Sequence, residues 1–219
     1  MKNPTVLPLI SVRDVVYYPR MQKTLFVGRD FTIRAITHAK RKYRGRLIAL
    51  TQTSVEEMEP FDQSDSYTVG TVCRILQSVL LTDGTMRVHL ESLEPIRLNR
   101  IEEKEGVRFA LGTLIGGAKT GRQRKVSWDR QSREAFLSTL VRWDPRITFQ
   151  ETSRFDDIKR EESFDRFLDI ALEIASHPAS VPTLGKRINT LILRRQRILE
   201  EQDRGKQFQL LSKLLKEEL

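Results

Sequence analysis

Between Val6 and Ile115 the apolar residues fall in short runs separated by turn-forming positions, the spacing of a half-buried sheet. Arg46-Leu47-Ile48-Ala49-Leu50 is one such run, and residues 67–80 form a longer one rich in β-branched side chains. Met86-Arg87-Val88-His89-Leu90 alternates apolar and polar, and residues 96–101 and 109–115 read as further strands. Thr82-Asp83-Gly84-Thr85 stands between two of these runs and predicts a hairpin, since glycine tolerates the positive φ of a tight turn. One helix interrupts the strands. It starts at Asp30, a suitable N-cap, carries Ile33, Ile36 and Ala39 on one face, and ends at Gly45 after a basic run.

After the glycine-containing segment 116–127 the period changes from two to about 3.6. Ser127 is a candidate cap for a helix over 128–143 with Phe136, Leu137, Leu140 and Val141 turned inward, stopped by Asp144-Pro145. Residues 163–175 place Phe164, Phe167, Leu168, Ala171, Leu172 and Ala175 at helical spacing; Pro178 and Pro182 bracket a loop. Two more amphipathic helices follow, over 184–201 and 204–219, with Asp203 as the cap between them. The organisation predicted is a β-rich subdomain over 1–115, a basic linker over 116–127 and a helical subdomain over 128–219, an α+β chain without an internal repeat. Trp128 and Trp143 flank one helix and are expected to pack between the two halves, whereas Arg194, Arg195 and Arg197 are expected on a solvated helix face.

Composition narrows the chemistry. The chain has 219 residues, 38 Lys and Arg against 29 Asp and Glu, and 39% hydrophobic residues, enough to bury a real core. A single cysteine forbids an internal disulfide and an all-cysteine metal cluster, and three scattered histidines offer no ligand spacing. No run approaches the ~18 apolar residues of a membrane span, and the start, with two prolines and an early Arg13-Asp14, does not read as a signal peptide. A cytoplasmic protein with no membrane partner is expected. Phosphate-loop, dinucleotide, nucleophile-elbow and zinc-protease motifs are missing, so neither a cofactor nor a catalytic residue is assigned. Cys73 with His89 could form a thiol hydrolase if the two lay opposite each other across the hairpin; a small core thiol is the simpler reading.

The net charge of +9 raises a polyanion as partner. Its two concentrations are Lys40, Arg41, Lys42, Arg44 and Arg46 at the end of the first helix, and Lys119, Arg122, Arg124 and Lys125 in the linker. Aromatic residues are only 7% and sit at core-like spacings, without the stacking platforms of RNA readers, so nucleic acid is expected to bind weakly if at all.

The opening residues bring in a family. Leu7-Pro8-Leu9-Ile10-Ser11-Val12-Arg13-Asp14-Val15-Val16-Tyr17-Tyr18-Pro19-Arg20-Met21, followed by Leu25-Phe26-Val27-Gly28-Arg29-Asp30, resembles the start of the N-terminal domain of Lon-type ATP-dependent proteases. Val69-Gly70-Thr71-Val72, Ile75-Leu76-Gln77 and Asp83-Gly84-Thr85 with Arg87-Val88 are similar to that family's second signature, and Gln196 to Glu201 with Leu210-Leu211 and Leu214-Leu215 to its closing helices. The sequence departs from the pattern at Thr24 and Thr82, where the family favours proline, and at Ser92, where it favours glycine.

The resemblance implies a PUA-like β subdomain, a helical bundle, and a role in holding unfolded or damaged protein substrates and in supporting assembly of the protease. The motor and Ser-Lys peptidase of Lon are not in these residues, so the chain corresponds either to a fragment or to a free-standing substrate-binding protein. Its expected partners are unfolded substrates, Lon motor and protease domains, or further copies of itself. A receptor for unfolded chains needs a shallow apolar surface, and Pro19, Met21, Leu25 and Phe26 are the candidates for it. The competing readings are a PUA-like RNA binder using the basic clusters, and the Cys73 hydrolase.

Overall fold

The computed structural model describes residues 4–54, 56, 63–115, 129–143, 154–176 and 186–217. Six strands, β1 (Thr5–Val12), β2 (Gln22–Val27), β3 (Arg46–Thr51), β4 (Val69–Leu80), β5 (Met86–Lys104) and β6 (Val107–Leu114), form one sheet in the order β2-β5-β4-β3-β1-β6. An added β5–β6 pairing closes it on itself. Helix α1 (Asp30–Lys42) covers the barrel, burying Thr32, Ala35, Ile36 and Ala39. Its cap position is held by Arg29 rather than Asp30, which lies in the first turn.

The three short strands read between 86 and 115 resolve into two. β5 runs unbroken for 19 residues, and it changes partner along one edge: Met86 to Glu91 pair with β2, and Ile96 to Lys104 pair with β6. Pro95, which has no amide hydrogen to give a ladder, stands between the two stretches. Register shifts between Val72 and Cys73, Ile75 and Gln77, and Leu98 and Arg100 bend the sheet enough to close. Closure also needs Gly112, where an added Cβ would stand 2.6 Å from the Arg97 carbonyl oxygen. The Asp83-Gly84 hairpin forms as expected. Gly84 takes φ +82° and the Asp83 carboxylate accepts the Thr85 amide at 2.9 Å.

The helical half contains α2 (Arg130–Trp143), α3 (Arg154–Arg160), α4 (Phe164–Ser176), α5 (Lys186–Glu200) and α6 (Arg204–Glu217). The buried positions of α4 are the periodic set, Phe167, Leu168, Ala171, Leu172 and Ala175. Asp203 caps α6 through the Lys206 amide at 2.9 Å, and Asp129 accepts the Ser132 amide at 2.7 Å at the start of α2. Helix α3 was not expected; seven residues with only Phe155 and Ile158 turned inward give too short a pattern. The linker 116–127, Ser127, Trp128, the Asp144-Pro145 stop and the 178–182 loop lie outside the described residues.

The connection from β1 to β2 is not a surface turn. Val15, Val16, Tyr17 and Tyr18 are all at most 2% exposed. Val15, Tyr17 and Met21 belong to the barrel core under α1, while Val16 and Tyr18 belong to the core of the helical half. Hydroxyls hold this extended strip from the barrel side: Thr51 donates to the Val15 carbonyl at 2.8 Å and Thr71 to the Tyr17 carbonyl at 2.6 Å. Trp143 is buried in the same core as Val16 and Tyr18. One reading is corrected here: Arg195 is 4% exposed and not solvated. Its carbonyl accepts the Tyr18 hydroxyl at 3.1 Å, and the neighbouring Gln196 amide donates to the Val69 carbonyl at 2.7 Å. Arg194 pairs with Glu217 at 2.9 Å.

Candidate functional site

The paired strands β4 and β5 run on to their hairpin past the residues that close the barrel, and β2 flanks them with no strand on its other edge among the described residues. Cross-strand register sets the outward face of this arm. Phe26, Arg87 and Val79 lie in one row, and Thr24, His89 and Gln77 in the next. Phe26 is 70% exposed, Val79 37% and Leu76, the extra residue of a register shift, 43%. Leu80 beside the turn is 63% exposed, in the row of Met86 and Val27 on the opposite face. Thr24, Gln77, Arg87 and His89 line a depression of about 330 Å³ in the middle of this face. Thr24 and His89 are joined there at 3.0 Å between Oγ1 and Nδ1. The arm is thus a shallow apolar surface with polar groups inside it.

Of the four residues expected to form such a surface, Phe26 lies on it. Leu25 and Pro19 are half-buried, and Leu25 packs against the barrel core. Met21 is 1% exposed and part of that core, so it presents no surface. Alternation explains the split, because Leu25 and Phe26 are consecutive strand residues and point to opposite faces. Val79, Leu80 and Leu76 were missed. The apolar pair Leu80-Leu81 directly before a hairpin turn was the available signal, since a tip that leaves the barrel has no core to bury it.

Lys40, Arg41, Lys42, Arg44 and Arg46 are all exposed, on the last turn of α1, the turn that follows and the first residue of β3. They adjoin the arm: the Lys40 ammonium donates to Ser78 Oγ at 2.8 Å, and Arg46 pairs in register with Arg74, which is bonded to Glu91 at 3.0 Å. Lys119, Arg122, Arg124 and Lys125 lie outside the described residues.

Cys73 and His89 do not form a dyad. Cys73 pairs with Ser92 and His89 with Gln77, so they occupy separate rows. Cys73 is wholly buried, and burial pushes its thiol up to about 12, the reverse of what a nucleophile needs. His38 stacks with Tyr43 and Phe109 at ring distances of 5.7 and 5.5 Å, and His177 lies outside the described residues. Among the described residues no three metal-binding side chains converge, and no helix is long and apolar enough to cross a membrane.

A partly closed barrel with an added strand, followed by a helical half whose core takes in Val16, Tyr18 and Val69 from the first half, defines an α+β architecture also found in solved structures. The N-terminal domain of the Mycobacterium avium complex Lon protease superposes with TM-score 0.66 at 15% identity, over 98% of this chain and 100% of that one. The Lon N-terminal domain protein from Xanthomonas campestris gives 0.54 at 15%, over 94% and 96%. At the level of sequence, the profile of the ATP-dependent protease La (LON) substrate-binding domain matches residues 6–217, and the chain belongs to that family. It is 29% identical over 216 residues to the Lon protease of Xanthomonas oryzae pv. oryzae, covering 97% of this chain and 23% of that protein. To the Escherichia coli K12 Lon protease it is 32% identical over 135 residues, 62% of this chain and 16% of the relative. The chain spans less than a quarter of the length of these relatives.

Proposed function

We propose that this chain is a non-catalytic substrate-recognition module of the Lon type, which binds exposed hydrophobic segments of unfolded or damaged proteins and supports assembly with a protease. The observation that carries the reading is the arm, where Phe26 on the edge strand and Val79 in the same cross-strand row leave apolar surface in water on one face, with Leu76 and Leu80 exposed on the same strand as Val79. Unfolded segments share exposed apolar side chains and unpaired backbone, and an edge strand flanked by apolar rows offers a partner for both. The polar row of Thr24, His89 and Gln77 keeps the patch small enough not to drive self-association. Binding is of micromolar order or weaker, since few side chains of the site are pre-organised around any one sequence.

The test is photo-crosslinking to a permanently unfolded, labelled protein, with peptide mapping. Labelling within residues 22–27 and 76–90 is expected; efficient crosslinking with none in either stretch refutes the site. A second reading, polyanion binding, has one observation in its favour, the exposed basic side chains of Lys40, Arg41, Lys42, Arg44 and Arg46. It requires affinity for RNA that falls steeply with salt, as counterion release dictates. A flat salt response, or no binding at low salt, removes it.

A further inference from the structure

The barrel has one open seam. β1 is paired with β6 over Thr5 to Pro8 and with β3 over Leu9 to Val12, so past Pro8 one edge of β1 has no strand beside it among the described residues. The free edge of β2 stands across the gap. Between them lies a cleft of about 300 Å³, lined by Ile10 to Val15 on one side and Leu25 to Arg29 on the other, with Thr32 of α1 completing it. Its strands contribute mostly apolar residues, and its charged lining is Arg13 and Arg29 against Asp14, with Thr32 from the first turn of α1.

The two arginines and the first turn of α1 can accept negative charge. No side-chain hydrogen bond caps the 13-residue α1, although the exposed Asp30 stands in its first turn, so backbone amides of that turn remain to bond an acceptor in the cleft. Arg13 makes no hydrogen bond or ion pair with another described residue. Arg29 is held in place by its bond to Gln52 Oε1 at 2.9 Å. Thr32 is 3% exposed and its Oγ1 has no hydrogen-bond partner, an unsatisfied buried hydroxyl in the cleft wall. The carboxylate of Asp14 also lines the cleft; it faces the largely buried Lys23, whose charged form it favours against the effect of burial.

We propose that this seam receives the carboxyl-terminal end of an extended polypeptide. The chain lies along the free edge of β2 with apolar side chains against Leu25 and Val27, and its terminal carboxylate sits between Arg13, Arg29 and the first turn of α1, taking a hydrogen bond from Thr32. A carboxylate brought by the chain's own end needs no side chain to reach past Leu25 and Val27 to Arg13 and Arg29; an internal acidic side chain is the competing occupant that the test separates. The inference rests on the substrate-recognition reading and deepens it from segments in general to segments that end there.

The experiment compares labelled apolar peptides of one sequence by fluorescence anisotropy: a free acid, its carboxyl-terminal amide, and an amide ending in aspartate. The free acid is expected to bind at least about tenfold more tightly than either amide, the scale of one charge-assisted hydrogen bond to a charged group. Arg13→Gln is expected to bring the acid down to the level of the amide. Thr32→Val is expected to weaken the acid alone while leaving the melting temperature unchanged or raised, a combination that a structural role for the hydroxyl would not produce. Equal binding of acid and amide overturns the inference and leaves the apolar surface standing, as does equal binding of acid and aspartate amide. Binding of none of the three overturns both.

Discussion

Replacing Phe26 with alanine separates recognition from stability. An aromatic side chain carries ~150–250 Å² of accessible area, and 70% of the residue is open to solvent. Roughly 100–170 Å² therefore remains to be covered by a partner, worth at most about 2.5–4 kcal/mol at ~25 cal/mol/Å². A strand or side chain laid on one face of the ring covers about half of this, so Phe26→Ala should weaken an apolar unfolded peptide by about 1.5–2 kcal/mol, tenfold to thirtyfold. Because the ring is already exposed in the folded chain, its loss should change stability by no more than about 0.5 kcal/mol. Met21→Ala is the contrast: at 1% exposed it should cost about 2–5 kcal/mol of stability and act on binding only through unfolding. Anisotropy titration beside urea denaturation reads both quantities. A Phe26→Ala protein of unchanged stability that binds within twofold of the parent refutes the reasoning.

Alkaline pH probes the buried interior. Cys73 titrates at about 12 in the folded chain against an ordinary 9.0, so its contribution to stability is whole below pH 9 and is lost as pH rises toward 12. Burial raises the Tyr17 phenol in the same sense, so Cys73→Ala should remove part of the alkaline loss seen by denaturant titration and not all of it. At pH 8 the native thiol should resist iodoacetamide and react once the chain is unfolded. Gly112→Ala brings a Cβ to 2.6 Å from the Arg97 carbonyl oxygen; the β5–β6 ladder must open, at about 1–3 kcal/mol, read by the urea midpoint. Asp203→Ala removes the α6 cap and should cost about 1 kcal/mol.

The fold was legible wherever side-chain period and turn chemistry carried it. The alternation of residues 86–90, the glycine of the 82–85 turn, the α4 stripe from Phe167 to Ala175 and the Asp203 cap are local signals, and the structure keeps each of them. What the pattern could not carry was the identity of the neighbour. Arg195 reads as one of three arginines on a polar face, and only the position of Tyr18 across the chain shows that it is enclosed. The strip from Val15 to Tyr18 is four consecutive apolar residues without a period, so no pattern shows that alternate residues face different cores. Met21 and Phe26 look alike as apolar residues near a turn, and the strand pairing of Phe26 is what sets one inside and the other out. Val79 and Leu80 read as ordinary strand residues, since nothing local says where a barrel ends and an arm begins.

The strip from Val15 to Tyr18 binds the two halves as a seam binds two cloths, every second stitch caught in the other fabric. Drawing the helices away would pull Val16 and Tyr18 into water and drag their neighbours Val15 and Tyr17 out of register beneath α1. Neither interior can be opened by itself. Heat or urea should therefore melt this chain in a single step, with fluorescence from the helical side and far-ultraviolet ellipticity reporting the same midpoint.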